Sequence, residues 1–321
     1  MEEDTRIRLL LDGLTQALLI RLNHVKGIDS GIDAEKPIRY NCSSLCSQGG
    51  LVVTMLGKAV HLARLRNAQS GRVFTVALDH APSYGVLSGL ENIARVFDQV
   101  LGGGPDAVLM MKGTAEGCFL PYAGRIALIL KCSTLSPFHP EHDVWVSPVE
   151  DALRLGADAI AMALTVGSLQ QPALLSNVSG LVRAAEQVGL PVIVHAYPNG
   201  QLVPVAERYT AAQVSYAARL AMEVGVDIVK TFYTGSAESF AQVVEVAAPA
   251  LVVAAGGPRL ETMADVFNMA AAVVESGAAG ITFGRNVWQS SHPQRMVRIL
   301  KRIVHEGLTP EAALEIWESE V

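Results

Sequence analysis

From residue 73 onward the chain alternates between short, almost continuously apolar runs and longer segments whose apolar residues recur every three to four positions. The runs are VFTVAL (73–78), DAVLM (106–110), RIALIL (125–130), DAIAM (158–162), PVIVH (191–195), DIVKT (227–231), ALVVAA (250–255) and AGITF (279–283), eight in all. A strand with one wet face alternates polar and apolar residues; these do not, so they predict parallel strands covered on both sides and disfavour an antiparallel sandwich.

The intervening segments carry helix punctuation. Thr210 is placed to cap a helix whose face is Val214, Ala217, Ala218, Ala221 and Val224, stopped by Gly225. Thr262 and Asp265 form a capping-box pattern ahead of an apolar-periodic segment that Gly277 closes. Four helix-to-strand corners echo one another, GPDAV (104–108), GADAI (156–160), GVDIV (225–229) and GAAGI (277–281), and fall on every second strand. Four equivalent corners spaced two strands apart suit a ring of eight. The expected fold is therefore α/β, a (β/α)8 TIM barrel over residues 71–321, with an open doubly wound sheet as the alternative. Residues 1–70 stand outside the alternation. They predict a helix near 5–24, a Cys/Ser/Gly-rich loop near 40–50 and a helix over about 51–67, together an extension packed on the barrel.

Composition narrows the function classes. Half the residues are hydrophobic and 17% are charged, which provides a large core. The net charge is −6 with no basic cluster, so neither nucleic acid nor an anionic membrane is an expected partner. The first residues lack a signal-peptide pattern, and no apolar run reaches the roughly 18 residues that span a bilayer, so a cytoplasmic protein is expected. Cys42, Cys46, Cys118 and Cys132 are too few and too irregularly placed for a disulfide framework or a structural zinc site. No His/Asp/Glu set has metal-ligand spacing, so neither a metal nor any other cofactor is expected.

In a barrel of this kind the chemistry sits at the C-terminal ends of the strands. Those ends read Asp79-His80, Lys112-Gly113, Lys131-Cys132, His195-Ala196-Tyr197, Lys230, Gly256-Gly257 and Gly284-Arg285. Lys230 stands out because it interrupts an apolar run. A lysine in that position either pairs with a carboxylate such as Asp79, extends its amine out of the mouth, or loses its charge and becomes a nucleophile. Gly256, Gly257, Gly284 and Arg285, with Arg259 nearby, follow the seventh and eighth runs, where barrels bind phosphate through bare backbone and a cation. Lys131 is placed to lower a neighbour's pKa, to bind a second phosphate or to lie solvated at the rim; Lys112 and His80 are secondary. The glycines at 102–104 precede a strand and read as a helix stop, not a nucleotide loop.

The segments VALDHAPSYG, GADAIAMALTVGS, HAYPNG, GVDIVKTFYTGSAESF, AAGGPR and GAAGITFGRNVWQSSHP, in that order over about three-quarters of the chain, resemble the class I aldolases of the DeoC/LacD-like superfamily. The resemblance is to its archaeal-type fructose-bisphosphate aldolase branch, with relatives that include aminodideoxyheptulosonate synthase and the autoinducer-phosphate thiolase. It implies that Lys230 forms an imine with a ketone, that Asp79 binds substrate hydroxyls or shuttles a proton, and that Tyr197 is the acid/base group. For Tyr197 to act as a base, neighbouring Lys230 or Lys131 must lower its pKa. His195 and Asn199 stand where the branch often has an aromatic residue and an arginine, which makes His195 a substrate contact and draws attention to the acceptor end. The resemblance implies a metal-independent aldolase acting on a phosphorylated, fructose-bisphosphate-like ketose, assembled as a homo-oligomer, commonly a ring. The alternatives are a transaldolase- or thiolase-like transfer enzyme and a sugar-phosphate-binding barrel without turnover.

Overall fold

In the computed structural model, which describes residues 52–319, the strands are β1 (Val73–Ala77), β2 (Ala107–Met111), β3 (Ala127–Lys131), β4 (Ser133–Ser136), β5 (His139–Trp145), β6 (Ala159–Thr165), β7 (Val192–Tyr197), β8 (Ile228–Phe232), β9 (Leu251–Ala255) and β10 (Gly280–Phe283). The helix expected near 5–24, the loop near 40–50, Cys42 and Cys46 lie outside the described residues. All eight apolar runs are strands, and they pair in parallel in the closed order β1-β10-β9-β8-β7-β6-β3-β2. Closure rests on β1 against β10, with Val73 opposite Gly280 and Val76 opposite Phe283. That pairing decides for the barrel over the open doubly wound sheet.

The predicted helix ends hold. Thr210 Oγ1 accepts from the Gln213 amide at the start of helix Ala211–Glu223. Thr262 and Asp265 make the reciprocal capping box of helix Met263–Glu275. Gly102 ends helix Ile93–Gly102, in keeping with a helix stop at 102–104.

The echoed corners have a mechanical reason. The Asp106 carboxylate, just before β2, accepts the Phe74 amide of β1 at 2.7 Å. Asp227, just before β8, accepts the Val192 amide of β7 at 2.9 Å. Each aspartate thus satisfies a strand-initial N–H that the slanted parallel ladder leaves over at the barrel's N-terminal end. Helix Val52–Leu65 supplies the countercharge: Lys58 pairs with Asp227 at 3.0 Å, and His61 and Arg64 approach Asp158 at 3.2 and 3.3 Å. Leu65, 1% exposed, joins the interior of the ring.

Two cores follow from strand geometry. Outward side chains such as Phe74, Val76, Leu128, Ile160 and Val229 pack under the helices with Phe97, Phe240 and Phe267. Each such burial contributes roughly 1.5–3 kcal/mol. Inward side chains form a second, smaller-residue cluster: Ala77, Ala107, Leu109, Ala127, Ile129, Ala159, Ala161, Ile193, Ile228 and Val253. Alternate residues share a face, so continuing these rows upward by two reaches Lys131, His195 and Lys230, and by two more in β7 reaches Tyr197.

One element escapes the sequence reading. β4 and β5 form an antiparallel hairpin directly after β3, with Ser133 opposite Trp145 and Thr134 opposite Val144. Its residues, STLSPFHPEHDVW, are polar and proline-broken, and the two strands pair only with each other. Neither hydrophobic periodicity nor β-propensity marks such a segment.

Candidate active site

The strand-end residues converge on a cavity at the C-terminal mouth lined by Lys230, Tyr197, Phe232, Gly256, Gly257, Gly284 and Arg285, with Ala77, His80, Tyr84, Asn199, Ala255 and Thr282 completing the wall. Six of the ten side chains singled out from sequence therefore meet around one space. Asp79, His195 and Lys131 are not among the residues that line it, and neither is the exposed Arg259.

Lys230 is held rigidly in β8, between His195 of β7 and Val253 of β9. It is 6% exposed, lines the cavity and makes no hydrogen bond or ion pair among the described residues. Burial lowers its pKa to about 8; the Asp79 charge opposes this, and Lys131 and Arg285 reinforce it. The ion-pair and snorkelling alternatives for Lys230 are thus not what the geometry gives: the amine is inside, and Asp79 acts on it only at a distance.

His80 and His195 are neutral imidazoles. Burial brings His80 to about 4 and His195 well below the ordinary histidine range, where Lys230 and Lys131 add to the effect. His80 is held by an edge-on contact with Trp288, whose indole N–H donates to the Ala77 carbonyl at 3.1 Å. Its Nδ1 lies 3.6 Å from Asp79 Oδ1.

The expectation of a cation-lowered Tyr197 is corrected. Its phenol is raised well above the ordinary value, first by burial and then by Tyr84 and Asp79; of the cations only Arg285 opposes this. The ring stacks on Phe232 at 4.5 Å and 15°, which places it among apolar neighbours. Such a phenol stays protonated at neutral pH and donates, rather than taking a proton as a phenolate base.

Lys131 is also not a rim residue. At 5% exposure it donates to Ser133 Oγ at 2.8 Å and to the Ser133 carbonyl. Lys112 lies off the site, 3.2 Å from Asp151.

The glycine-rich ends of β9 and β10 are joined by a residue of the GRN triplet. Asn286 donates to the Gly256 carbonyl at 2.7 Å and accepts from the Leu260 amide at 2.8 Å, clamping the GGP loop against β10. Gly257 needs its positive φ of +65°, and a Cβ on Gly284 would lie 2.5 Å from the His80 ring. Arg285 stacks over Tyr84 at 5.6 Å and keeps a buried Nε without a partner. Bare backbone beside an arginine with an unused donor is a surface made for an oxyanion. Tyr84 in the cavity wall, and the buried Asp143 outside it, are groups that sequence reasoning passed over. Tyr84 had a signal, the VALDHAPSYG segment; Asp143 sits in the unmarked hairpin.

A family model described as DeoC/LacD family aldolase matches residues 73–290, from the first barrel strand to just past the last. The chain belongs to the DeoC/LacD aldolase family. It is 34% identical over 266 residues, 82% of this chain and 97% of the relative, to the 2-amino-3,7-dideoxy-D-threo-hept-6-ulosonate synthase of Halobacterium salinarum. It is 30% identical, over 80% of this chain and 93% of the relative, to the 2-amino-4,5-dihydroxy-6-oxo-7-(phosphonooxy)heptanoate synthase of Streptomyces griseus. Among solved structures it resembles an archaeal fructose-1,6-bisphosphate aldolase with its catalytic Lys bound to a carbinolamine intermediate. There the TM-score is 0.70 at 29% identity, covering 77% of this chain and 99% of that one. The protein is thus an aldolase, a carbon–carbon lyase of this family. Among the described residues no helix is long and apolar enough to cross a membrane.

Proposed function

We propose that this aldolase makes or breaks a carbon–carbon bond in a phosphorylated ketose through an imine on Lys230. The observation that carries the reading is a buried, unpaired amine with a pKa near 8, facing a glycine and arginine cradle across one cavity. The neutral amine adds to the ketone and expels water; the resulting iminium takes up the electron pair released when the carbon–carbon bond breaks, leaving an enamine. That electron sink does the work a metal would do otherwise. Tyr197 is the proton donor, Asp79 the acceptor near the substrate hydroxyls, and Arg285 with Gly256, Gly257 and Gly284 holds the phosphate.

The solved relative bears its intermediate on a lysine, which supports the covalent route. The bisphosphate part of the reading is narrower. Arg285 is the arginine of the cavity wall, and Asn199 stands where the resembling branch often has another. This favours a substrate with one phosphate and an uncharged far end, and with it a synthase- or transfer-type reaction. The test is borohydride trapping with a panel of mono- and bisphosphorylated ketoses in EDTA, followed by mass spectrometry of the Lys230 peptide and product analysis. A label elsewhere, or none, overturns the reading; the products separate cleavage from transfer.

Two outcomes follow. Single-turnover imine formation should rise about tenfold per pH unit up to about pH 8 and level off above it, because the neutral fraction of an amine titrating there grows in that way. Arg285→Leu should raise KM for the phosphorylated ketose about 10- to 100-fold, corresponding to the loss of a charge-assisted contact, and leave KM for an unphosphorylated analogue unchanged.

A further inference from the structure

His80 lines the cavity, yet the aldol steps above give it no task. Its ring is held from three sides. The buried Trp288 indole meets it edge-on at 5.3 Å and is itself tied to the Ala77 carbonyl. The Tyr84 ring lies 6.0 Å away on a second side. On the third, Gly284 is bare where the imidazole comes in: a Cβ there would lie 2.5 Å from Cε1 and 3.0 Å from Nε2. The Cε1–Nε2 edge of His80 therefore rests on the backbone of the glycine and arginine cradle.

The two ring nitrogens face different surroundings. Nδ1 is buried, has no hydrogen-bond partner among the described residues and lies 3.6 Å from Asp79 Oδ1. That is too long for a hydrogen bond but within reach of an ion pair. A lone pair turned toward a carboxylate is repelled, so Nδ1 keeps the single proton of the neutral ring and Nε2, on the Gly284 side, is left with the lone pair. Lys230 and Arg285, both in the cavity wall, disfavour a third cation there. Burial, helped by these two charges and opposed by Asp79, brings His80 to about 4. Tyr84, the other titratable group beside the ring, stays protonated because burial raises its phenol. A dianion in the cradle reverses the balance: it offsets the Arg285 charge, and its oxygens repel a bare lone pair on Nε2 as Asp79 repels one on Nδ1. One added proton removes that repulsion.

Resting on the reading of Gly256, Gly257, Gly284 and Arg285 as the phosphate cradle, we propose that His80 is a further wall of that cradle: it binds the phosphate dianion as an imidazolium, taking one proton from solvent at Nε2 as the anion enters. The charged ring then stands between two anions, Asp79 at Nδ1 and the phosphate at Nε2, and donates to both. The phosphate end of the substrate is in this way recognised by two cations, Arg285 permanently charged and His80 charged only when the ligand is present. An uncharged group in the cradle leaves the imidazole neutral, so the device discriminates for a dianion and against a hydroxyl.

Calorimetric titration of the full-length protein with sodium sulfate tests this, since sulfate is a dianion that does not itself titrate near neutrality. Ionic strength is held constant with chloride, and heats in two buffers of different ionisation enthalpy give the protons taken up. At about pH 6.5 about one proton per bound sulfate is expected; Lys230, at about 8, is already charged there and adds none. Affinity should fall about tenfold between about pH 6 and pH 7, because the complex holds one proton more than the free protein. His80→Gln keeps a donor but cannot titrate, so its sulfate binding should be weaker at about pH 6, take up no proton and lose the slope. Sulfate binding without proton uptake in the unaltered protein, or with the same uptake in His80→Gln, overturns the proposal. If His80→Gln does not fold, the imidazole Cε1 proton resonances of the unaltered protein serve instead: one histidine neutral at about pH 6 in chloride should be charged there in sulfate, and a set unmoved by sulfate is equally decisive against it. Sulfate that does not bind, or binds as well to Arg285→Leu, removes the phosphate cradle itself; sulfate that needs Arg285 yet brings no proton removes only the role of His80, so the two failures are distinguishable.

Discussion

Lys230→Met is expected to abolish aldol turnover, a loss of about ten-thousandfold or more, and at the same time to make the protein more stable. The first half follows from chemistry: without the amine there is no imine and no electron sink. The second follows from burial. An unfolded lysine titrates near 10.5, whereas Lys230 in the folded protein titrates at about 8. Between those values the unfolded state binds the extra proton, so stability rises with pH over that window. Below it the folded protein carries the full penalty, of order 1–3 kcal/mol after allowing for the packing Met recovers. Urea denaturation at pH 7 should therefore show the variant more stable than the parent, with the gap closing toward pH 10.5. A destabilised variant, or one retaining more than a trace of turnover, would mean that the lysine serves structure and not chemistry.

Gly280→Ala should be the most damaging small substitution in the barrel. Gly280 opens β10 at φ +150°, directly opposite Val73 at the seam where the ring closes. A Cβ there would sit 1.8 Å from the Val73 carbonyl oxygen and 2.9 Å from its amide nitrogen. No side-chain rotamer relieves a clash with backbone, so β1 and β10 must separate, at about 3 kcal/mol or more. Gly284 and Arg285 follow immediately, so substrate binding should fall with stability. Gly113→Ala is the matched control: it lies in helix Lys112–Cys118 with nothing within 4 Å of the added carbon. Denaturant midpoints should drop sharply for the first and stay level, or rise by up to about 1 kcal/mol, for the second. Equal midpoints would show that the seam tolerates the methyl.

How much of the site could be read beforehand depended on contrast. Lys230 was conspicuous because a charge inside an apolar run costs free energy that something must justify. The Gly256-Gly257 and Gly284-Arg285 pairs were visible because two consecutive strand ends carry glycine. Arg259 offered the same charge two residues beyond Gly257, yet the chain turns it out to solvent. Tyr197 was placed correctly but its protonation was not: with Phe232 stacked on its ring, burial outweighs the Arg285 charge. Asp143 gave no local signal at all, since it sits in a polar, proline-broken hairpin that no periodicity marks.

The order of the elements was set by the chain alone, because apolar runs, capping residues and helix-stopping glycines act locally and each reports its own state. Which residues face inward was not, since a strand buried on both faces is apolar at every position and carries no alternation to read. Only closure of β1 on β10 fixed that parity, turning Lys131, His195, Tyr197 and Lys230 into one interior and bringing Asp143 beside them. The pKa values of that interior are likewise tertiary, for they depend on distances between charges that are far apart along the chain.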